Sequence, residues 1–169
     1  MQTLATAHLV LEPLTVAHAE EMFDVLSDEA IYRYLDETAP ASVEHVRSVY
    51  AKREARRSPD GNEGWLNWVV RAPGQQLVGL VQATVFAPDS AWIAYVFSRK
   101  HWGRGYAHEA TESMLAHLAE AYGVRRYLAT VEVENERSIR LLERLGFLRA
   151  APHEMAGHEL SATELLFLR

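Results

Sequence analysis

No cysteine occurs among the 169 residues, which excludes a disulfide framework, a thiolate nucleophile and a thiolate metal site. Such an absence suits a reducing compartment. Long apolar runs are missing as well: AWIAYVF (91–97) is the longest, far too short to cross a bilayer. Residues 1–15, MQTLATAHLVLEPLT, lack both the basic flank and the apolar stretch of a secretory signal. Positive charge is scarce, with 17 Lys and Arg against 23 Asp and Glu and a net charge of −6. That balance argues against a general affinity for nucleic acid or a membrane surface. The length suits one well-buried core and is short for two. These limits lead us to expect a cytoplasmic protein with a single domain over 1–169.

The pattern that is present alternates strands and helices without an internal repeat. HLVLEPL (8–14) reads as a strand bounded by Pro13. Thr15 is placed to cap a helix through about residue 27, with Ala19, Met22, Phe23 and Leu26 at helical spacing. Ser42 opens a second helix over 43–57, with Val43, Val46, Val49 and Tyr50 as its apolar stripe. After a Pro59-Asp60-Gly61 turn, residues 65–72 and 77–86 form a hairpin about PGQQ. The next strand, 91–97, is apolar nearly throughout and predicts burial on both faces. Residues 106–122 then place Ala107, Ala110, Met114, Leu118 and Ala121 on one helical face, with Gly123 as the stop. A strand over 126–133 is followed by a helix capped by Asn135, carrying Ile139, Leu142 and Leu145 and closed by Gly146. FLRA (147–150) and HELSATELLFLR (158–169) complete the sheet. The class is α+β (mixed α/β), with helices on both faces of one sheet.

One stretch, SRKHWGRGYAHEA (98–110), departs from ordinary helix chemistry. The first turn of a helix leaves amide donors unpaired, and Ser or Asp usually caps them. Here the helix begins at Gly103, Arg104 and Gly105. Its bare amides, the helix dipole and the charges of Arg99, Lys100 and Arg104 suit a phosphate or pyrophosphate. A Walker A loop is excluded, because no Lys-Ser or Lys-Thr follows the second glycine. A dinucleotide fingerprint fits poorly, since His108 holds the third glycine position and too few strand–helix units follow.

WGRGYAHEA resembles the pyrophosphate-binding motif of the GNAT superfamily of N-acetyltransferases. In that motif Gln or Arg, two variable residues, Gly, one variable residue and Gly or Ala hold the pyrophosphate of acetyl-CoA. Trp102, Gly103, Arg104, Gly105, Tyr106 and Ala107 occupy the six places. Trp102 in the first place is similar to the branch of ribosomal-protein N-terminal (RimJ/RimL-like) acetyltransferases. NERSIRLLERLGF (135–147) resembles the family's last common segment, and HLVLEPLT and YRYL (32–35) also look like this branch. The resemblance implies a GNAT fold with a central, mostly antiparallel mixed sheet of six or seven strands. It also implies acetyl-CoA as cosubstrate, an amine acceptor, no metal and, as in many similar proteins, a homodimer.

The implied chemistry is direct attack of an uncharged amine on the acetyl thioester, with no covalent enzyme intermediate. It needs stabilisation of an oxyanion and a proton for the departing thiolate. The family's pantetheine arm runs along the end of a strand, here the backbone of Tyr95, Val96 and Phe97, with an amide near Val96 as the expected oxyanion donor. Asn135 caps its helix and, by resemblance, contacts the pantetheine arm. Many relatives donate the proton from a tyrosine whose place is taken here by Leu142, so Ser138 becomes the candidate donor. The base is open among Glu63, Glu132 and His108, because Trp92 stands where relatives carry Glu. An α-amine, with a pKa of about 8, asks less of a base than a lysine at about 10.4 and is the favoured acceptor.

Other residues attract weaker readings. His101 is expected at the surface beside the loop. Arg137 and Arg140 are within reach of a 3′-phosphate, and IYRYLDE (31–37) is expected to shape the acceptor site. Trp65 and Trp68 fall on opposite strand faces, so at most one faces the acceptor. His153 and His158 lack the partners of a zinc site. Two other functions remain open: a non-catalytic acyl-CoA sensor and, more remotely, a nicotinamide-dependent oxidoreductase.

Overall fold

The computed structural model describes all residues of the chain except Asp36 and Ala87. The Asp36 of IYRYLDE therefore lies outside the described residues. Eight strands among them form one sheet: β1 Leu4–Ala5, β2 Val10–Pro13, β3 Glu63–Arg71, β4 Leu77–Phe86, β5 Ser90–Phe97, β6 Arg126–Glu132, β7 Leu148–Arg149 and β8 Glu164–Leu168. The spatial order is β1-β2-β3-β4-β5-β6-β8-β7. Neighbours are antiparallel except for β5 and β6. Four α-helices cover it: α1 Ala19–Leu26, α2 Val43–Glu54, α3 Tyr106–Tyr122 and α4 Glu136–Arg144.

Period-2 alternation divides the apolar side chains between two cores. Trp68, Val70, Val81 and Ile93 pack with Ala110, Met114 and Leu118 of α3 and Leu141 and Leu142 of α4. Val69, Leu77 and Leu80 face the other way, onto Met22 and Val25 of α1 and Val46 and Tyr50 of α2. Helices thus lie on both faces, as the sequence predicts. Gly123 ends α3 at φ +69°, and its N–H donates to the Leu118 carbonyl.

Several expectations are corrected. Strand β1 raises the count beyond six or seven; two residues are too few to show an alternation. The helix expected from residue 15 begins as a single tight turn, Val16–His18, before α1. There the Thr15 amide donates to His18 Nδ1 (3.0 Å). Helix α2 stops at Glu54, because Arg56 takes φ +58° and Arg57 bridges to Gly64. Residues 158–161 are irregular and 162–163 a turn, with the Ser161 amide donating to Glu164 (2.9 Å), so only Glu164–Leu168 is strand. Ala121 of the expected α3 stripe is exposed.

Candidate acetyl-transfer site

Between β5 and β6 the sheet opens. The two strands pair only over Ser90–Trp92 and Arg126–Leu128. Beyond those pairs β5 continues to Phe97 and β6 to Glu132. A cleft of about 1060 Å³ occupies the gap and reaches both faces of the sheet. Tyr95, Ser138 and Trp102 line it on the side of α3 and α4. Gln82, Thr84 and Trp92 line it on the opposite face, with Ile31, Tyr34 and Leu35 from the turn Glu29–Tyr34 and its following residue.

The glycine loop forms one end. Gly103 and Gly105 sit at φ +77° and +81°, where an L side chain is strained, and a Cβ at either would meet nothing within 4 Å. Glycine serves the backbone angle here and leaves open space above it. No side chain caps α3. Among the described residues the amides of 103–108 have no acceptor, and the first bond of the turn is Glu109 N–H to the Gly105 carbonyl (3.0 Å). The one acidic side chain of that turn is held elsewhere. Glu109 accepts from the Thr6 hydroxyl (2.5 Å) and the His8 amide (2.8 Å). Burial would raise its pKa, but these bonds from Thr6 and His8 hold it below the usual carboxylate value. Among the described residues no carboxylate is bonded to the amides of this loop, an arrangement that suits a diphosphate.

The basic residues divide into two kinds. Lys100 and Arg104 are exposed beside the loop, whereas Arg99 is 3.4 Å from Asp28. His101, expected at the surface, is half-buried and stacks on Tyr106 at 6.3 Å. Burial, then Arg104 and Lys100, lower its pKa, so it adds no charge near neutral pH. Trp102, which replaces the usual Gln or Arg, acts as a strut. Its Nε1 donates to the Phe97 carbonyl (2.8 Å), and the Arg137 guanidinium lies 3.9 Å above its ring. Arg137 and Arg140 both line the cleft, and Arg140 also pairs with Glu136 at 3.0 Å.

At the other end, Asn135 Oδ1 accepts from the Ser138 amide (3.2 Å), so its oxygen is used as a cap and its NH2 is left over. Leu142 is buried in the core and has no proton to give. Sequence reasoning assigned Tyr95 only backbone groups and missed its side chain. The Tyr95 hydroxyl lies 2.6 Å from Ser138 Oγ, joining β5 to α4 across the cleft. Burial pushes its pKa up to about 12 despite the bond to Ser138, so the phenol stays protonated at any physiological pH. A hydroxyl at a strand end, facing a helix with Leu142 where many similar proteins carry tyrosine, was the available signal.

The register with β4 sets the direction of the β5 amides. Ser98 N–H donates to the Val78 carbonyl (2.8 Å), and Val96 is the register partner of Leu80. Antiparallel alternation then turns the main chain of Val96 towards β4, and that of Tyr95 and Phe97 towards the gap. Of these three amides, those of Tyr95 and Phe97 open into the gap and that of Val96 does not.

Of the three base candidates, Glu132 and His108 line the cleft. Glu63 is away from it, accepting from Trp65 Nε1 at 3.0 Å. Trp65 and Trp68 do take opposite faces: Trp68 is buried beneath α3, with Nε1 on the Gln2 carbonyl. His158 packs edge-on to Trp92 at 5.5 Å, and among the described residues no cluster suits a metal ion. No helix among them is long and apolar enough to cross a membrane.

Comparison with known proteins agrees with this geometry. The acetyltransferase (GNAT) domain family matches residues 8–148. The uncharacterized N-acetyltransferase p20 of Bacillus licheniformis is 27% identical over 149 residues, covering 87% of this chain and 83% of its own. The structure of RimL, a ribosomal L7/L12 α-N-protein acetyltransferase in complex with coenzyme A, superposes with a TM-score of 0.82 at 17% identity, covering 99% of this chain and 97% of that one. Spermidine N-acetyltransferase from Vibrio cholerae, in complex with coenzyme A and spermine, gives 0.74 at 19% identity, covering 96% and 94%. An uncapped helix start beside a split sheet, matched over most of its length by one family, places this chain in the acetyltransferase (GNAT) domain family.

Proposed function

We propose that the chain transfers the acetyl group of acetyl-CoA to a primary amine entering from the α1/α2 face, and that residues 102–107 grip the diphosphate. The observation that carries this reading is the row of unpaired amides over 103–108, opening into a cleft that traverses the sheet. Acetyl-CoA, when bound, supplies an activated acetyl thioester. The amine nitrogen gains a bond to the acyl carbon, the carbon–sulfur bond breaks, one amine proton leaves and the sulfur takes one up.

Each residue then has a task. The amides of Tyr95 and Phe97 face the gap and donate to the acyl oxygen as charge grows on it. Val96 lines the cleft, its side chain packed against the α1/α2 core and its main chain turned towards β4. Ser138 donates towards the sulfur, and the Tyr95 hydroxyl, bonded to its oxygen, frees the Ser138 proton to point outward. The Asn135 NH2 remains for the pantetheine arm. Glu132, which lines the cleft, takes the amine proton, directly or through water. A single domain over 1–169, a homodimer and a cytoplasmic location, in keeping with the cysteine-free sequence, complete the reading. The test is an acetyl-CoA-dependent screen of amines that measures free coenzyme A. Release that depends on the amine supports the transferase. Tight coenzyme A binding without release on any amine would support the sensor instead.

A further inference from the structure

We infer that the acceptor is an amine carrying a carboxylate, and that a polar hollow beside the cleft holds that second group; this rests on the transferase reading above. The hollow, about 290 Å³, is lined by Arg53, Trp65, Asn67, Gln82, Ala83 and Thr84. Gln82 and Thr84 line the main cleft too, so the spaces adjoin on the α1/α2 face. The register shows how they connect: Asn67 pairs with Gln82, which pairs with Ala94, and Ala94 borders the gap between β5 and β6.

The lining suits an anion. Among the described residues Arg53 is its only charged group and belongs to no ion pair. The carboxylates nearest to it in sequence and on β3 are occupied. Glu54 accepts from the Val16 amide (3.2 Å), and Glu63 accepts from Trp65 Nε1. Asn67 is 6% exposed and its backbone carbonyl is used by the Leu14 amide, which leaves the carboxamide for the hollow. A guanidinium fork with two carboxamides and a hydroxyl complements a carboxylate and repels a second ammonium. One to two strand spacings separate this group from the gap, so amine and carboxylate should lie about 5–10 Å apart.

The experiment compares unbranched ω-amino acids of increasing length with their carboxamides and with diamines of equal length, measuring kcat/KM for coenzyme A release. The acids should exceed their carboxamides by about tenfold or more, with an optimum at intermediate length, and the diamines should be poorest. Arg53→Gln should raise KM for the acid about tenfold, leaving the carboxamide and the KM for acetyl-CoA unchanged, while Arg53→Lys keeps part of the preference. Equal use of acids and carboxamides, or a preference that survives in Arg53→Gln, would overturn the inference while leaving the transferase intact. Failure to acetylate any amine would overturn the transferase reading and this inference with it.

Discussion

Removing the Tyr95 hydroxyl by Tyr95→Phe tests how the thiolate is protonated. The ring and its packing remain, and what is lost is the hydroxyl with its bonds to Ser138, 2.6 Å to Oγ and 3.4 Å to the carbonyl. A neutral hydrogen bond is worth about 0.5–1.5 kcal/mol, so kcat should fall about twofold to tenfold. Ser138→Ala removes the donor itself. A bond to developing charge is worth about 1.5–3 kcal/mol, a loss of about tenfold to 150-fold. Because Tyr95 acts through Ser138, the double variant should be no slower than Ser138→Ala alone. A thiol of pKa about 8.5 leaves readily as thiolate in base, so both deficits, taken as ratios to the parent protein, should shrink above about pH 9. Steady-state release of coenzyme A from pH 6 to 10 reads kcat, and calorimetry should find coenzyme A affinity unchanged. Multiplicative losses in the double variant, or deficits that ignore pH, would refute the coupling.

Three further outcomes follow from the geometry. Gly105→Asp forces a side chain onto φ +81° and sets a carboxylate against the diphosphate, so coenzyme A affinity by calorimetry should fall at least about tenfold. Trp102→Phe loses the bond to the Phe97 carbonyl and should cost about 1 kcal/mol in urea unfolding while keeping a ring under Arg137. His117 lies buried, edge-on to Trp68 and Tyr122, with Nε2 unpartnered; burial, then the chain's terminal ammonium, depress its pKa. Its neutral form is the folded one, so the stability it contributes is complete above about pH 6.5 and is lost as pH falls below that value. Unfolding free energies measured between pH 5 and 8 should decline on the acid side, less so in His117→Gln.

Much of the fold was legible because local rules and the tertiary solution agree. The uncapped Gly103-Arg104-Gly105 start, the Asn135 cap and the Gly123 stop are local features, and each appears where the residues put it. Features made by long-range contact were not. The Tyr95–Ser138 pair joins residues 43 apart. The direction of the Val96 amide depends on which bond Ser98 makes with β4, a choice of register that alternation alone leaves free. Trp102 was visible as a departure from the family pattern, but its work as a strut requires Phe97 and Arg137 to converge on it. The hollow at Arg53 joins α2 to two strands and has no sequence signature.

The most direct test of the central claim is a crystal structure with coenzyme A bound. The account predicts diphosphate oxygens within about 3 Å of amides in the 103–108 turn, with the sulfur beside Ser138 in the gap between β5 and β6. A diphosphate seated elsewhere, with that turn bare, would contradict it.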